Sequence, residues 1–121
     1  MSSTILDIIA NYTRERIEEK KKKIPLQKVR LEADKIISDR FSFETALRKP
    51  ELSFICECKK ASPSKGIIAE NFPYQRFAKE YERAGADCIS VLTEPKWFLG
   101  SDEYLREIAK ITEVPLLRKD F

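Results

Sequence analysis

Apolar residues fall along this chain in two regimes that meet at Pro50. Before it they recur at helical spacing between charged residues; after it, short apolar runs alternate with amphipathic stretches. In the first regime, Thr4 with Asp7 has the spacing of a capping box, and Ile5, Ile8, Ile9 and Tyr12 continue as one helical stripe. Glu18–Lys22 and Glu19–Lys23 are favourable pairs at i,i+4. The cations of Lys20 to Lys23 suit the negative end of the helix dipole better than they suggest a phosphate or nucleic-acid patch. Pro25 ends this helix and starts a second through Leu26, Val29, Ala33 and Ile36. A short third helix covers Phe43 to Arg48, stopped by Pro50. With helices only, residues 1–52 read as an extension preceding a strand-containing domain.

Beyond Pro50 the pattern predicts strands. Phe54 to Lys59 is the first, and it runs into a polar loop holding Pro63 and Gly66. Pro73 suits the first turn of a helix whose apolar stripe is Tyr74, Phe77, Ala78, Tyr81 and Ala84, with Gly85 as its C-terminal cap. Asp87 to Thr93 is nearly continuous in apolar residues, as a strand buried on both faces should be. A loop from Glu94 to Gly100 carries Trp97 and Phe98. Ser101 then caps a further helix, with Leu105, Ile108 and Ala109 inward. Val114-Pro115 leads into a third strand, Leu116 to Lys119.

Residues 53–121 are therefore expected to form β-α-β-α-β, with helix-length connections that require parallel strands and right-handed crossovers. The unusual polar residues all follow the C-terminal ends of strands, where ligands collect in α/β proteins, barrels and open sheets alike. Three strands do not decide between those architectures. A closed barrel needs about 200 residues or more, so 121 residues are expected to form only part of one.

Composition narrows the chemistry. Charged residues make up 36% of the chain, yet the net charge is only +3. Residues 1–52 hold 12 basic and 9 acidic side chains, and residues 53–121 hold 11 of each. The second part is thus neutral, which argues against nucleic acid as a partner. No run approaches a membrane span and no signal-peptide pattern opens the chain, so a cytoplasmic location is expected. Histidine is absent, which removes Cys/His zinc sites and Ser-His or Cys-His nucleophiles. Cys56, Cys58 and Cys88 read as small core residues; Cys56 and Cys58 share a strand face, a poor geometry for a disulfide. Acid–base chemistry would have to run on Lys, Glu, Asp, Tyr or Cys.

The first strand is the informative one. Side chains alternate along it, so Phe54, Cys56 and Cys58 share an apolar face while Ile55, Glu57 and Lys59 share one that turns charged toward the strand end. Taken alone, Glu57 and Lys59 are as well read as an ordinary strand-end ion pair, Lys119 as a solvated lysine, and Trp97 and Phe98 as loop-packing aromatics.

Three blocks together change that balance: Glu57-Cys58-Lys59-Lys60-Ala61-Ser62-Pro63-Ser64-Lys65-Gly66, Ile89 to Ser101, and Leu116-Leu117-Arg118-Lys119-Asp120-Phe121. In order and spacing they resemble indole-3-glycerol phosphate synthase, and the helical extension fits too. The resemblance implies a (βα)8 TIM barrel, of which this chain would hold strands 1 to 3, truncated. It also implies a carboxy-lyase of tryptophan biosynthesis. Such enzymes close the ring of 1-(2-carboxyphenylamino)-1-deoxyribulose 5-phosphate, releasing carbon dioxide and water, with no cofactor and no metal.

Position by position, the resemblance makes Lys119 the general acid that protonates the substrate's ketone oxygen, and partial desolvation is expected to lower its pKa. Lys59 would hold the substrate's anionic groups and assist dehydration, with Glu57 orienting both lysines. Ser62 falls in a mobile loop near the substrate. Phe98 and Phe121 match an apolar pocket for the anthranilate ring. Cys58 should face the helices and carry no chemistry. The chain departs from the family at Phe72, where an aspartate cap is common, and in lacking the catalytic groups of the later strands, so this stretch alone is expected to be inactive. The alternative is a non-catalytic half-barrel or assembly fragment, which self-associates as a homo-oligomer or binds a complementary C-terminal half through exposed sheet edges. A weaker reading is another phosphate-binding barrel of the same pathway.

Overall fold

A computed structural model describes residues 2–36 and 41–121 of the chain. They divide into two compact units, residues 1–40 and 41–121. The first holds α1 (Ile5–Lys23) and α2 (Leu26–Asp34). Thr4 and Asp7 form the expected reciprocal cap: Thr4 Oγ1 accepts from the Asp7 amide at 3.2 Å, and Asp7 accepts from the Thr4 amide at 2.9 Å. The lysines at the end of α1 pair one position closer than expected. Lys21 reaches Glu18 at 2.7 Å and Lys22 reaches Glu19, both at i,i+3. The two spacings flank the same helical row, so rotamer choice decides between them. The second helix stops at Asp34, short of Ile36.

The second unit opens with α3 (Ser42–Leu47) and continues through β1 (Ile55–Cys58), α4 (Tyr74–Arg83), β4 (Cys88–Leu92), α5 (Asp102–Ile111) and β5 (Leu116–Lys119). Between β1 and α4 lies a short antiparallel hairpin, β2 (Ala61–Ser62) with β3 (Gly66–Ile67). It stands where only a polar loop was expected, because two-residue strands are too short to show a period. Gly66, at φ 65°, supplies the left-handed residue that closes a three-residue hairpin loop.

The sheet runs β1-β4-β5, parallel throughout. Cys58 pairs with Val91, and Val91 with Arg118; Glu57 pairs with Ser90, and Ser90 with Leu117. Registered residues of a parallel sheet share a face, so the two faces are fully specified. One carries Cys56, Cys58, Ile89, Val91 and Leu116 toward the helices, where Cys58, Ile89 and Val91 join Ala78 of α4 and Ile108 of α5 in a core without solvent access. The other carries Ile55, Glu57, Ser90, Leu92, Leu117 and Lys119. The central strand β4 is buried along its whole length, which is why its sequence reads as one apolar run. Burial pushes the Cys58 thiol up to about 11, with Cys56 and Glu57 adding to the shift. It is a core residue, not a nucleophile.

The helices attach by specific contacts. In α4, Ala78 is fully buried, while Ala84 is the exposed cap residue and not part of the stripe. Gly85 at φ 90° ends the helix in a Schellman motif: its amide bonds the Glu82 carbonyl at 3.1 Å, and the Ala86 amide bonds Tyr81 at 3.0 Å. In α5, Ser101 Oγ accepts from the Glu103 amide at 3.1 Å. The inward residues are Tyr104, Leu105 and Ile108; Ala109, expected inward, is exposed. Tyr104 turns inward to an aromatic cluster with Phe72, Tyr74 and Phe77, the Phe72 and Tyr104 ring centres lying 5.4 Å apart, and Ala109 falls to the side of that face. Phe72 thus packs the α4–α5 junction where a capping side chain would otherwise stand.

Glu82 ties the C-terminal ends of α4 and α5 together. It accepts from Thr112 Oγ1 at 2.7 Å and from the Glu113 amide at 2.9 Å, and pairs with Lys79. These bonds hold its carboxyl down at about 2, against an ordinary 4.5, the Thr112 bond contributing most. A depressed carboxylate stabilises the fold fully above its unfolded pKa and loses that contribution as pH falls through the folded one. Acid titration of stability should therefore show a decline between about pH 4.5 and 2 that Glu82→Gln makes shallower. An unchanged acid limb in that variant would contradict the assignment.

Candidate active site

On the face away from α4 and α5, the strand ends bring three charged side chains together. Glu57 is the third residue of β1, Lys59 follows the strand, and Lys119 is the last residue of β5. Glu57 Oε2 accepts from Lys119 Nζ at 2.7 Å and from Ser90 Oγ of β4 at 3.0 Å. Its Oε1 lies 3.1 Å from Lys59 Nζ. One carboxylate therefore spans all three strands: two ammonium groups from the outer strands and a hydroxyl from the central one. Tyr81 of α4 fixes the same residue from behind, donating to the Glu57 carbonyl at 3.1 Å.

Partial burial alone would raise the Glu57 carboxyl, but the hydrogen bonds from Lys119, Lys59 and Ser90 outweigh it and hold the group below its ordinary value. Lys119 moves the other way from the expectation. Its hydrogen bond to Glu57 is the largest influence and raises its pKa above the ordinary 10.5; desolvation, which would lower it, is weaker. The expected depression gave desolvation more weight than the carboxylate that orients the lysine. With Lys119 half exposed and Glu57 at 2.7 Å, the ion pair wins. The cluster carries a surplus positive charge at neutral pH, since two ammonium groups share one carboxylate.

The other site candidates occupy the loops around this cluster. Ser62 lies buried in the β2–β3 hairpin, where its Oγ accepts from the Lys65 amide at 3.2 Å. Phe98 stands half buried in the β4–α5 loop, its amide bonded to Glu94 at 3.0 Å. Phe121 follows the end of β5 and remains 58% exposed, with the Arg118 guanidinium 5.4 Å from its ring centre. Of the six, Glu57, Lys59 and Lys119 are directly joined; Ser62, Phe98 and Phe121 are not bonded to them. Among the described residues, no three Cys, Asp or Glu side chains gather as a metal ion would need.

Sequence reasoning passed over two participants. Ser90 reads as one small residue in an apolar strand, and only its register opposite Glu57 reveals it. Thr93 is nearly inaccessible; it accepts from Arg118 Nε at 3.2 Å, and its amide bonds the Lys119 carbonyl at 2.9 Å, which fixes the strand end from which Lys119 projects. Arg118 is held further by Asp102 at the start of α5, at 2.7 Å.

A parallel sheet backed by helices, with charged groups gathered where its strands end, defines an α/β protein, the class in which ligands collect at the C-terminal edge of the strands. The comparison with known proteins is specific within that class. Residues 6–121 match the family model described as indole-3-glycerol phosphate synthase. The chain is 56% identical over 118 residues to the indole-3-glycerol phosphate synthase of Ruminiclostridium cellulolyticum, covering 97% of this chain and 45% of that protein. The enzyme of the same name from Lachnoclostridium phytofermentans is 43% identical, at 97% and 48% coverage. That from Lacticaseibacillus paracasei is 58% identical over 79 residues, covering 65% of this chain and 30% of its own. The chain belongs to the indole-3-glycerol phosphate synthase family and spans less than half the length of these curated relatives.

Proposed function

We propose that this chain supplies the first part of an indole-3-glycerol phosphate synthase, with the three strands serving as strands 1 to 3 of a (βα)8 barrel. The observation that carries this reading is Glu57 held between Lys119 and Lys59 at the strand ends in a chain of this family. In the proposed reaction the substrate is 1-(2-carboxyphenylamino)-1-deoxyribulose 5-phosphate. Lys119 Nζ gives a proton to the ketone oxygen as the aromatic ring carbon attacks the ketone carbon. Loss of carbon dioxide and water then yields indole-3-glycerol phosphate.

Lys59 offsets the substrate's negative charge, and Glu57 orients both lysines until an incoming anion competes for them. Because Lys119 is held protonated by Glu57, it meets the substrate in the form a general acid needs. Ser62 lies beside the substrate, and the rings of Phe98 and Phe121 border its anthranilate part. Acid catalysis comes from this segment; the remaining catalytic groups belong to the part of the relatives that this chain does not span. The protein works in the cytoplasm, on a small phosphorylated substrate, without a cofactor.

The surplus positive charge gives a direct test. Inorganic phosphate titrated into the protein should shift the amide resonances of residues 59–66 with an affinity on the order of millimolar. No response there, with the fold intact, would remove the anion-binding role of Lys59.

A second reading is favoured by the sheet itself. Among the described residues β1 and β5 each pair on one side only, and Ile55 and Leu117 are 49% and 44% exposed on the face that carries the candidate site. Such edges and apolar positions favour pairing with further strands, from a second copy or from a complementary C-terminal half. Sedimentation of this chain should reveal self-association that a complementary half suppresses. A compact monomer at high concentration would count against it.

A further inference from the structure

The β4–α5 loop is built around a buried carboxylate. Glu94 is 1% exposed. Its Oε1 accepts from the Lys96 amide at 2.8 Å, and its Oε2 from the Trp97 and Phe98 amides at 2.7 and 3.0 Å. Its own carbonyl accepts from the Gly100 amide at 2.8 Å. One residue thus closes both ends of the loop and fixes its middle. A carboxylate is costly to bury, and three amide donors are what make it tolerable here. In return, the three amides are confined to the single geometry that meets the two oxygens, while Pro95 and Lys96 on the outside of the turn remain exposed.

Phe98 takes its place in the loop from this turn, its amide being one of the three, and the residues on either side of it form one wall of a groove. That groove, about 240 Å³, runs between the hairpin residues Ala61, Ser62 and Pro63 and the loop residues Lys96, Trp97 and Leu99. We infer that Glu94 is a positioning residue for the aromatic part of the substrate, setting the place of the Phe98 ring by holding the loop's amides. The inference rests on the proposed function, because it takes Phe98 as a substrate contact. Glu94 itself touches no reacting atom. Its effect should therefore fall mainly on the binding of substrate and little on the chemical step.

A glutamine at this position turns an amino group toward one of the three amide donors, so at least one bond is lost and the turn loosens. In the protein at the full length of its relatives, Glu94→Gln should raise KM roughly tenfold or more while kcat changes by less than about threefold. Phe98→Ala should raise KM as well, and the double variant should lie within about twofold of Phe98→Ala alone, because Glu94 acts through that ring. A merely structural residue would give additive losses, and additivity overturns the inference. So does a KM for Glu94→Gln within about twofold of the parent.

Amide hydrogen exchange on the unaltered chain supplies a second reading. The amides of Lys96, Trp97 and Phe98 should be strongly protected although they sit in a loop, and rapid exchange at all three overturns the inference without any variant. Should Glu94→Gln not fold, Glu94→Asp, which withdraws the carboxylate by one methylene, takes its place with the same expected rise in KM. Absence of turnover in the full-length parent, with the amides protected, would fell the functional reading and the substrate role together. Turnover with an unmoved KM would fell the Glu94 assignment alone.

Discussion

Replacing Lys119 by alanine, in the protein at the full length of its relatives, should cut turnover by roughly a thousandfold while KM moves by no more than about threefold. Lys119 Nζ sits 2.7 Å from Glu57 at the end of β5 and is half exposed, free to leave its partner for a substrate oxygen. A proton given only as the bond forms stabilises the transition state and not the bound substrate, so the loss belongs in kcat. A thousandfold corresponds to about 4 kcal/mol of barrier. The pH dependence follows from the same geometry. A raised lysine stays protonated until pH passes its folded value, so the alkaline limb of kcat/KM should lie above the ordinary 10.5. The ion pair's contribution to stability should likewise be intact below that value and lost as pH rises through the folded one. Wild-type-like turnover in Lys119→Ala, or an alkaline limb near neutrality, would remove Lys119 as the acid.

The largest effect on folding is expected at Gly100. A Cβ built there would stand 2.7 Å from the Leu92 carbonyl carbon and 2.8 Å from that of Thr93, and closer still to the Leu92 oxygen. All three are backbone atoms of the buried central strand and its exit, so no side chain can rotate away. Gly100→Ala must therefore push the β4–α5 loop off the strand end, and should destabilise the second unit by about 3 kcal/mol. Gly85 makes a useful contrast. It is conformationally constrained at φ 90°, but a Cβ there meets nothing within 4 Å, so Gly85→Ala should cost only about 1 kcal/mol. Urea unfolding should rank the two variants in that order. Equal losses would mean that the loop yields easily at Gly100.

Much of this was legible in the chain, and the reasons are physical. Thr4, Ser101 and Gly85 announce helix ends because their side chains, or the lack of one, satisfy local backbone groups. β4 is legible because burial on both faces leaves a continuous apolar run. Glu57, Lys59 and Lys119 are recognisable as a set through the resemblance, and the register shows how one carboxylate gathers them. What stayed hidden depends on tertiary contact. Ser90 matters only through a neighbour 33 positions away, and Glu94 only through a loop that folds back on it. Ala84 and Ala109 fit an apolar stripe in composition, yet one caps its helix and the other falls to the side of the buried face. The direction of the Lys119 shift turned on which of two opposing effects is larger, and only a distance settles that. The hairpin after β1 leaves almost no periodic trace at two residues per strand.

The most direct measurement is product formation. The protein at the full length of its relatives, given 1-(2-carboxyphenylamino)-1-deoxyribulose 5-phosphate, should show the fluorescence of an indole product rising in step with carbon dioxide release, with no added metal or cofactor. Substrate remaining unchanged, in a folded protein whose Glu57, Lys59 and Lys119 keep the contacts described, would contradict the account at its centre.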